Sequence, residues 1–147
     1  MKKAITVEDP SPSVLVIDED PAILAVLSGI LSNNGFRALL ARSADEAVGI
    51  AARVYVPIDL VLTDVQIPGG TGTEVLARIR EARPDVRALY MSASVEAEVI
   101  RIKLLADDSD PAADDLLHLG LVPGLIDDIR KHCNRPPAQR TRGASSR

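Results

Sequence analysis

Carboxylates follow two short apolar runs in this 147-residue sequence, where they could act together in chemistry. The run at residues 60–63 leads into Asp64. The run at residues 14–17 leads into Asp18, which Glu19 follows. Both runs are typical of strands buried on both faces, and the carboxyl ends of parallel strands form the ligand-binding edge of a sheet. Carboxylates brought together there repel each other unless a cation such as Mg²⁺, which prefers hard oxygen ligands, lies between them.

A hydroxyl group follows another apolar run, because Ser92 comes after residues 86–91. If the three strands meet at one point of a doubly wound sheet, Asp18, Asp64 and Ser92 converge on a shallow site. This set suits phosphoryl transfer onto a carboxylate, with Asp64 as the nucleophile, a metal on the acidic residues and the hydroxyl donating to a phosphoryl oxygen. In a simpler interpretation, Asp64 and Ser92 hydrogen-bond the turns that follow them.

Alternating strand-like and helix-like patterns predict the elements that would position these residues. We predict strands at about 13–18, 36–40, 58–63, 86–91 and 116–119, and helices at about 20–33, 43–53, 71–82, 96–106 and 123–132. Such alternation implies right-handed crossovers and helices on both faces of a parallel sheet. We therefore expect an α/β fold, a doubly wound five-stranded parallel sheet of flavodoxin-like order 2-1-3-4-5 with five helices.

Capping patterns mark the starts of three of these helices. Asp20 is a good N-cap, and Pro21 suits the first helical position. Ser43 with Glu46, and Thr71 with residue 74, have the spacing of capping boxes.

Composition excludes several classes of protein. Only three aromatic residues occur and the net charge is −4, which argues against a nucleic-acid-binding body. Cys133 is the single cysteine, so an internal disulfide and a cysteine-rich metal site are excluded. No window is apolar enough for a membrane span, and we expect a soluble, cytoplasmic protein without a membrane partner.

The chain divides into a folded domain and two polar ends. Residues 1–12 are predicted to form a flexible arm, residues 13–133 the domain, and residues 134–147 a disordered basic tail. The acidic stretch at 107–115 holds five Asp and is predicted to be a solvated loop.

Three segments together resemble the receiver domains of two-component response regulators. Residues 14–21 resemble the acidic-pair motif of that family. Residues 64–72 resemble its phosphoacceptor motif, with Pro68 and Gly72 at the expected offsets. Residues 90–93 resemble the segment that carries its Ser or Thr. The resemblance covers about 13–133, nearly the whole predicted domain.

The resemblance implies a role for each matching residue. Asp64 would accept a phosphoryl group from the phosphohistidine of a sensor histidine kinase or a His-containing phosphotransfer protein. Asp18 or Glu19, Asp64 and the backbone carbonyl of Gln66 would hold Mg²⁺, and Ser92 would meet the phosphoryl group. Receivers catalyse only their own phosphorylation and dephosphorylation, so we do not expect an enzyme acting on other substrates.

The resemblance fails at the fifth predicted strand. Leu119 stands where the family has a Lys, Gly120 where it usually has Pro, and Leu116 at its aromatic switch position. Lys103 falls in the preceding predicted helix, so we do not expect it to substitute. His118 is predicted to lie on the other face of the strand as an ordinary surface or packed residue. We expect weakened coupling between phosphorylation and the last two strands.

Two main functional hypotheses follow from these residues. The first is a single-domain receiver that accepts phosphate on Asp64 and signals by contact with a downstream target protein. The alternative is a degenerate receiver that binds its partner regardless of phosphorylation. A third hypothesis, a small Mg²⁺-dependent phosphatase, needs a second Asp two residues after the nucleophile, where this sequence has Gln66.

Overall fold

The computed structural model describes residues 11–53, 55–96, 99–106, 116–119 and 122–133. The predicted loop at 107–115, the first ten residues and the tail at 134–147 lie outside these ranges. The helices in the described ranges are α1 (Pro21–Asn33), α2 (Ala44–Ala51), α3 (Gly72–Ala82) and α4 (Val122–His132). The strands are β1 (Ser13–Ile17), β2 (Arg37–Ala41), β3 (Leu60–Asp64), β4 (Gln66–Ile67), β5 (Gly70–Thr71), β6 (Ala88–Glu96), β7 (Val99–Ala106) and β8 (Leu116–Leu119).

The main sheet has the order β2-β1-β3-β6-β7-β8, and its first four strands are parallel. The order β2-β1-β3-β6 confirms the predicted doubly wound, flavodoxin-like α/β fold, because β6 is the predicted fourth strand. In this arrangement β1 and β3 are neighbours, with Ile17 paired to Thr63. The residues that follow these two therefore emerge side by side at the carboxyl edge.

The predicted helix at 96–106 is wrong, because residues 99–106 form strand β7. This strand pairs antiparallel with β6 from Leu89↔Ala106 to Glu96↔Val99, as a hairpin. Val99, Ile100 and Ile102 are β-branched, and β-branched side chains favour strands. The predicted fifth strand exists as β8, but it pairs antiparallel with β7 instead of lying beside β6.

Alternate residues of the parallel strands pack into two cores, one on each face of the sheet. Val14 and Val16 of β1 belong to the core beneath α1 and α4. Leu15 and Ile17 belong to the core beneath α2 and α3. All four are fully buried, as expected for strands covered by helices on both faces. Burial on both faces holds the strand ends at the carboxyl edge in fixed positions.

Local capping bonds fix the helix starts that flank this edge. Asp20 caps α1 by accepting a hydrogen bond from the Ala22 N–H at 2.9 Å. The predicted capping box of α3 is complete, since Thr71 and Glu74 bond each other's backbone N–H groups. At α2 only the Ser43 half is present, and the Glu46 carboxylate accepts from the Arg42 N–H.

Candidate functional site

Asp18 and Asp64 lie next to each other at the carboxyl edge of the sheet. Each directly follows one member of the Ile17↔Thr63 pair, so the parallel register of β1 and β3 places them at equivalent heights. Asp18 is only 3% exposed, and Asp64 is half-buried. The predicted convergence of these two carboxylates is therefore observed.

Burial and neighbouring negative charges disfavour the ionised forms of both carboxyl groups. Burial, followed by the negative charges of Asp64 and Asp20, raises the pKa of Asp18 to about 6, although the Asp20 N–H donates to it at 2.8 Å. Burial also raises the pKa of Asp64, against hydrogen bonds from the Gln66 and Val65 backbones. The two side chains hydrogen-bond each other, which stabilises the protonated form of Asp18 and the charged form of Asp64. A cation placed between them would remove this repulsion.

An open depression surrounds the two aspartates, with a cavity volume of about 490 Å³. Its lining residues are Asp18, Glu19, Asp20, Asp64, Gln66, Ile67 and Pro68. Glu19 is exposed, and its charge acts on Asp64 from a distance. A cavity of this size is large enough for a hydrated ion together with a phosphoryl group.

The donors around the depression fit Mg²⁺ better than a metal that needs a protein cage. Within the described ranges, no three His, Cys, Asp or Glu side chains cluster closely enough to enclose a metal ion. Mg²⁺ usually takes one or two carboxylates and keeps several waters. Asp18 and Asp64 supply such a pair, with Glu19 and the Gln66 carbonyl as further oxygen donors at the rim.

The connection from β3 to α3 depends on glycine at a point of close backbone approach. The Gly72 N–H donates to the Val65 carbonyl at 2.9 Å. A Cβ atom at Gly72 would lie 2.5 Å from the Asp64 carbonyl oxygen. The glycines at positions 69, 70 and 72 predict a turn, but the sequence does not show that Gly72 packs against the backbone of Asp64.

Arg42 contacts the loop after β1 that carries the acidic residues, a role that its position in the sequence does not reveal. Its guanidinium donates from Nε and Nη2 to the Glu19 carbonyl at 3.3 and 3.2 Å. Two residues later, the Ala44 N–H donates to the Pro68 carbonyl at 3.0 Å. Residues 42–44 therefore bridge the loop after β1 and the turn between β4 and β5, and we call them the β2–α2 bracket. A basic residue after the second strand is too weak a sequence signal to reveal this.

The structure places the backbone of Ser92 close to this edge. Met91 pairs with Asp64 in the parallel ladder, and the Val65 N–H donates to the Met91 carbonyl at 3.2 Å. Ser92 is the next residue of β6, and its side chain lies outside the described part of the structure. The predicted hydrogen bond from Ser92 to a phosphoryl group stays a prediction.

The residues of the fifth predicted strand that differ from the family pattern lie away from β6. Leu116, His118 and Leu119 belong to β8, which β7 separates from β6 in the sheet. Gly120 lies outside the described residues.

A family model described as "Response regulator receiver domain" matches residues 14–110. This range is well over half of the chain and includes both apolar runs, Asp18, Asp64 and Ser92. No helix in the described ranges is long and apolar enough to cross a bilayer.

The chain is also similar to solved receiver domain structures and to a curated regulatory protein. A response regulator receiver domain protein from Clostridium thermocellum is 29% identical with a TM-score of 0.51, over 54% of this chain and 63% of that one. A CheY-like receiver domain protein from Methanospirillum hungatei JF-1 is 26% identical with a TM-score of 0.53, over 60% and 69%. The acid tolerance regulatory protein ActR of Rhizobium meliloti strain 1021 is 33% identical over 113 residues, 74% of this chain but only 57% of that protein. The chain thus spans little more than half of this relative.

Proposed function

Because this chain belongs to the response regulator receiver domain family, we propose that it accepts a phosphoryl group from a phosphohistidine onto Asp64. The observation that carries the proposal is the pairing of half-buried Asp64 with buried Asp18 in an open depression at the carboxyl edge of the sheet. Receivers are signalling modules. The pKa values of Asp18 and Asp64 are both raised, and shifted pKa values of this kind are common at functional sites.

The proposed reaction is a displacement at phosphorus. A carboxylate oxygen of Asp64 attacks the phosphorus of the donor phosphohistidine, and the P–N bond breaks with its electron pair returning to the imidazole nitrogen. The product is an aspartyl phosphate. Water then attacks the same phosphorus, the bond to the Asp64 oxygen breaks, and inorganic phosphate leaves with a proton released. Asp64 is regenerated, so the chain catalyses only its own phosphorylation and dephosphorylation.

Mg²⁺ is part of this proposal, held by the carboxylates of Asp64 and of Asp18 or Glu19, and by the Gln66 carbonyl. When bound, the ion would neutralise the charge that builds up on the phosphoryl oxygens. The chain's own contribution is to hold Asp18 and Asp64 at equal height through the β1–β3 register. Ser92, next to Met91 of the Asp64 pair, is proposed to donate a hydrogen bond to the phosphoryl group.

The proposed partners are a sensor histidine kinase or a His-containing phosphotransfer protein in the cytoplasm, and a downstream target protein. We further propose that this domain signals by protein contact. Its domain limits, an arm to residue 12 and a tail from residue 134, belong to this proposal.

A degenerate receiver that binds its partner without phosphorylation is the second candidate. It is favoured by the absence of the family's Lys and aromatic residue, whose places are taken by Leu119 and Leu116 in β8. In this case the acidic depression would be a remnant, and Mg²⁺ with a phosphoryl mimic would not stabilise the protein.

Intact-mass spectrometry after incubation with Mg²⁺ and acetyl phosphate distinguishes the two candidates. We expect the wild type to gain one phosphoryl group and Asp64→Ala to gain none. Asp59→Asn is the control, since Asp59 is also buried but lies at the opposite end of β3. If neither acetyl phosphate nor a phosphohistidine donor adds mass, and beryllofluoride with Mg²⁺ leaves the melting temperature unchanged, the proposal is wrong and the second candidate stands.

A further inference from the structure

Strand β2 is one edge of the main sheet, with β1 as its neighbour among the described strands. Residues 38–41 are Ala, Leu, Leu and Ala, without the charged residues or prolines that usually protect an edge. Leu40 is 39% exposed and, with Tyr55 and Val65, is one of the exposed large apolar side chains of the described ranges. An apolar edge of this kind can pair with a strand of another chain.

The backbone of β2 leaves a defined set of groups open at this edge. The Arg37 N–H donates to the Pro12 carbonyl at 2.8 Å, and the Ala41 carbonyl accepts from the first N–H after β1 at 3.1 Å. Arg37 and Ala41 therefore direct these backbone groups towards β1. Because successive residues of a strand point their backbone groups in opposite directions, Ala38 and Leu40 direct both N–H and C=O outward.

Existing hydrogen bonds bound this open stretch at both ends. The next outward positions along the chain are Phe36 and Arg42. The Phe36 N–H already donates to the Leu31 carbonyl at 3.0 Å, and the Arg42 N–H donates to the Glu46 carboxylate. Within residues 36–42, an incoming strand can therefore take N–H donors only from the two open residues unless an existing bond breaks.

We propose that β2 is a dimerisation edge, which pairs antiparallel with β2 of a second copy of this chain. With Leu39 on the twofold axis, Ala38 of each copy lies opposite Leu40 of the other. Each such pair exchanges both of its N–H···O bonds, so all the open groups of Ala38 and Leu40 find partners. An axis at Ala38 or at Leu40 would instead require the N–H of Phe36 or of Arg42, and both are already bonded. We call this contact the β2 seam.

Side-chain size and charge fit the same register. Residues opposite each other across antiparallel strands share a face of the sheet, so the small Ala38 leaves room for the larger Leu40 of the other copy. Arg37 lies opposite Ala41, so the charge of Arg37 does not meet its like across the seam. The strand is therefore complementary to itself, which favours a second copy over an unrelated peptide.

Helix α1 also allows two copies to approach closely at the seam. It contacts β2 and has no charged residue between Pro21 and Asn33. Ala22, Ala25 and Gly29 are among its exposed positions. A twofold axis perpendicular to the sheet places both α1 helices on the same face, where small, uncharged residues cause no repulsion between the copies.

Sedimentation velocity of the full chain over a series of concentrations tests the proposal. A seam of this size is small, so we expect a weak dimer that forms at about 10–100 µM. Leu40→Lys places a charge in the seam, and Ala38→Pro removes an outward N–H while keeping the bonds to β1. Each should raise the dissociation constant of the dimer at least about tenfold. Tyr55→Lys is the control, because Tyr55 is more exposed but lies outside β2, and it should change the constant less than about twofold.

Cysteine cross-linking locates the seam independently of those variants. In a Cys133→Ser background, Leu39→Cys places one thiol of each chain at the axis, where facing Cβ atoms are about 4.5–5.5 Å apart. Mild oxidation should then give a disulfide-linked dimer. Arg37→Cys in the same background is the control, since its two thiols would lie about 14 Å apart along the strands. Melting temperatures show which variants are folded.

Three results would overturn the inference. The wild type could remain monomeric over the whole concentration series, which would leave the edge unpaired by a second copy. Tyr55→Lys could weaken association as much as Leu40→Lys does, which would indicate general apolar association. Arg37→Cys could cross-link as fast as Leu39→Cys, which would place the contact elsewhere. None of these measurements involves phosphorylation, so they test the seam whether or not Asp64 accepts a phosphoryl group.

Discussion

Buried aspartates lie at both ends of β3, and their surroundings differ. At the amino end, Asp59 is 6% exposed and accepts a hydrogen bond from the Ser13 N–H at 2.8 Å. Its charge favours the nearby Arg83 guanidinium, opposing the burial that lowers the pKa of Arg83. At the carboxyl end, Asp18 and Asp64 face each other, and burial raises the pKa of both.

This difference distinguishes the structural carboxylate of Asp59 from the pair that we propose to be functional. Asp59 has a backbone donor and a nearby cation, so its burial is compensated within the described residues. Asp18 and Asp64 have backbone donors too, but Asp18 also lies near the negative charge of Asp64, and Asp64 near that of Glu19. Like charges brought together in this way are costly to the fold and are common at functional sites.

The largest expected effect is at the amino end. Asp59→Ala leaves the buried Ser13 N–H without this acceptor and removes the charge that favours Arg83, so we expect a loss of about 3 kcal/mol in the free energy of unfolding. Urea denaturation at neutral pH measures it. A loss under about 1 kcal/mol would mean that the two ends of β3 do not differ as described. Phosphorylation of Asp64 should persist in any fraction that stays folded.

The next largest effect concerns the backbone beneath Asp64. Gly72→Ala would place a Cβ atom 2.5 Å from the Asp64 carbonyl oxygen, so backbone must move. We expect a loss of about 2–3 kcal/mol and a slower phosphorylation of Asp64. Gly49→Ala is the control, because no atom lies within 4 Å of a Cβ at Gly49 in α2. That change should instead stabilise the protein by about 0.5–1 kcal/mol.

Removing the charge of Asp18 at the carboxyl edge of the sheet should stabilise the protein instead of destabilising it. Asp18→Asn can keep the bond from the Asp20 N–H but abolishes the repulsion, so we expect a gain of about 1–2 kcal/mol at pH 7 without Mg²⁺. Because the native pKa of Asp18 is raised to about 6, the native state binds more protons than the unfolded state between about pH 4 and 6. The wild type therefore loses stability relative to Asp18→Asn as the pH rises through that window. Equal pH profiles for the two proteins would contradict the assignment.

Mg²⁺ should offset most of that difference. At about ten times its dissociation constant, Mg²⁺ stabilises a protein by about 1.4 kcal/mol through binding to the native state. We expect the wild type to gain this amount and Asp18→Asn to gain little, with EDTA restoring the original difference. Thermal melts with Mg²⁺, with Ca²⁺ and with EDTA measure the effect. Equal stabilisation of both proteins would place the metal elsewhere.

The smallest effect is expected at the β2–α2 bracket. Arg42→Gln removes the two bonds to the Glu19 carbonyl, which should cost less than about 1 kcal/mol of stability and weaken Mg²⁺ binding about threefold. Arg78→Gln is a suitable control, because Arg78 forms an exposed ion pair with Asp45 at 3.3 Å, away from the depression. A weaker Mg²⁺ affinity in both variants would show a general charge effect instead of positioning by Arg42.

Local patterns in the sequence were sufficient for the parallel half of the fold. The runs at 14–17 and 60–63 predicted β1 and β3, because short, nearly continuous apolar runs are typical of strands buried on both faces. The caps at Asp20 and Thr71 depend only on neighbours within three residues. Together with the alternation of strands and helices, these local patterns also predicted that Asp18 and Asp64 lie close together.

Residues 99–106 show where local information was insufficient. Their apolar residues fit one face of a helix as well as a strand, and the outcome depended on pairing with β6, a contact made across the sheet. Two other contacts also depend on the whole fold. Gly72 approaches the Asp64 carbonyl closely. Arg42 bonds the Glu19 carbonyl, 23 residues away in the sequence.

The sequence by itself determined which residues we propose to carry the chemistry, because residue type and position at strand ends are local properties. Tertiary structure alone decided the repulsion between Asp18 and Asp64, the bracket at Arg42 and the pairing of β7 with β6. These depend on burial and on register between strands, which only the packed chain defines.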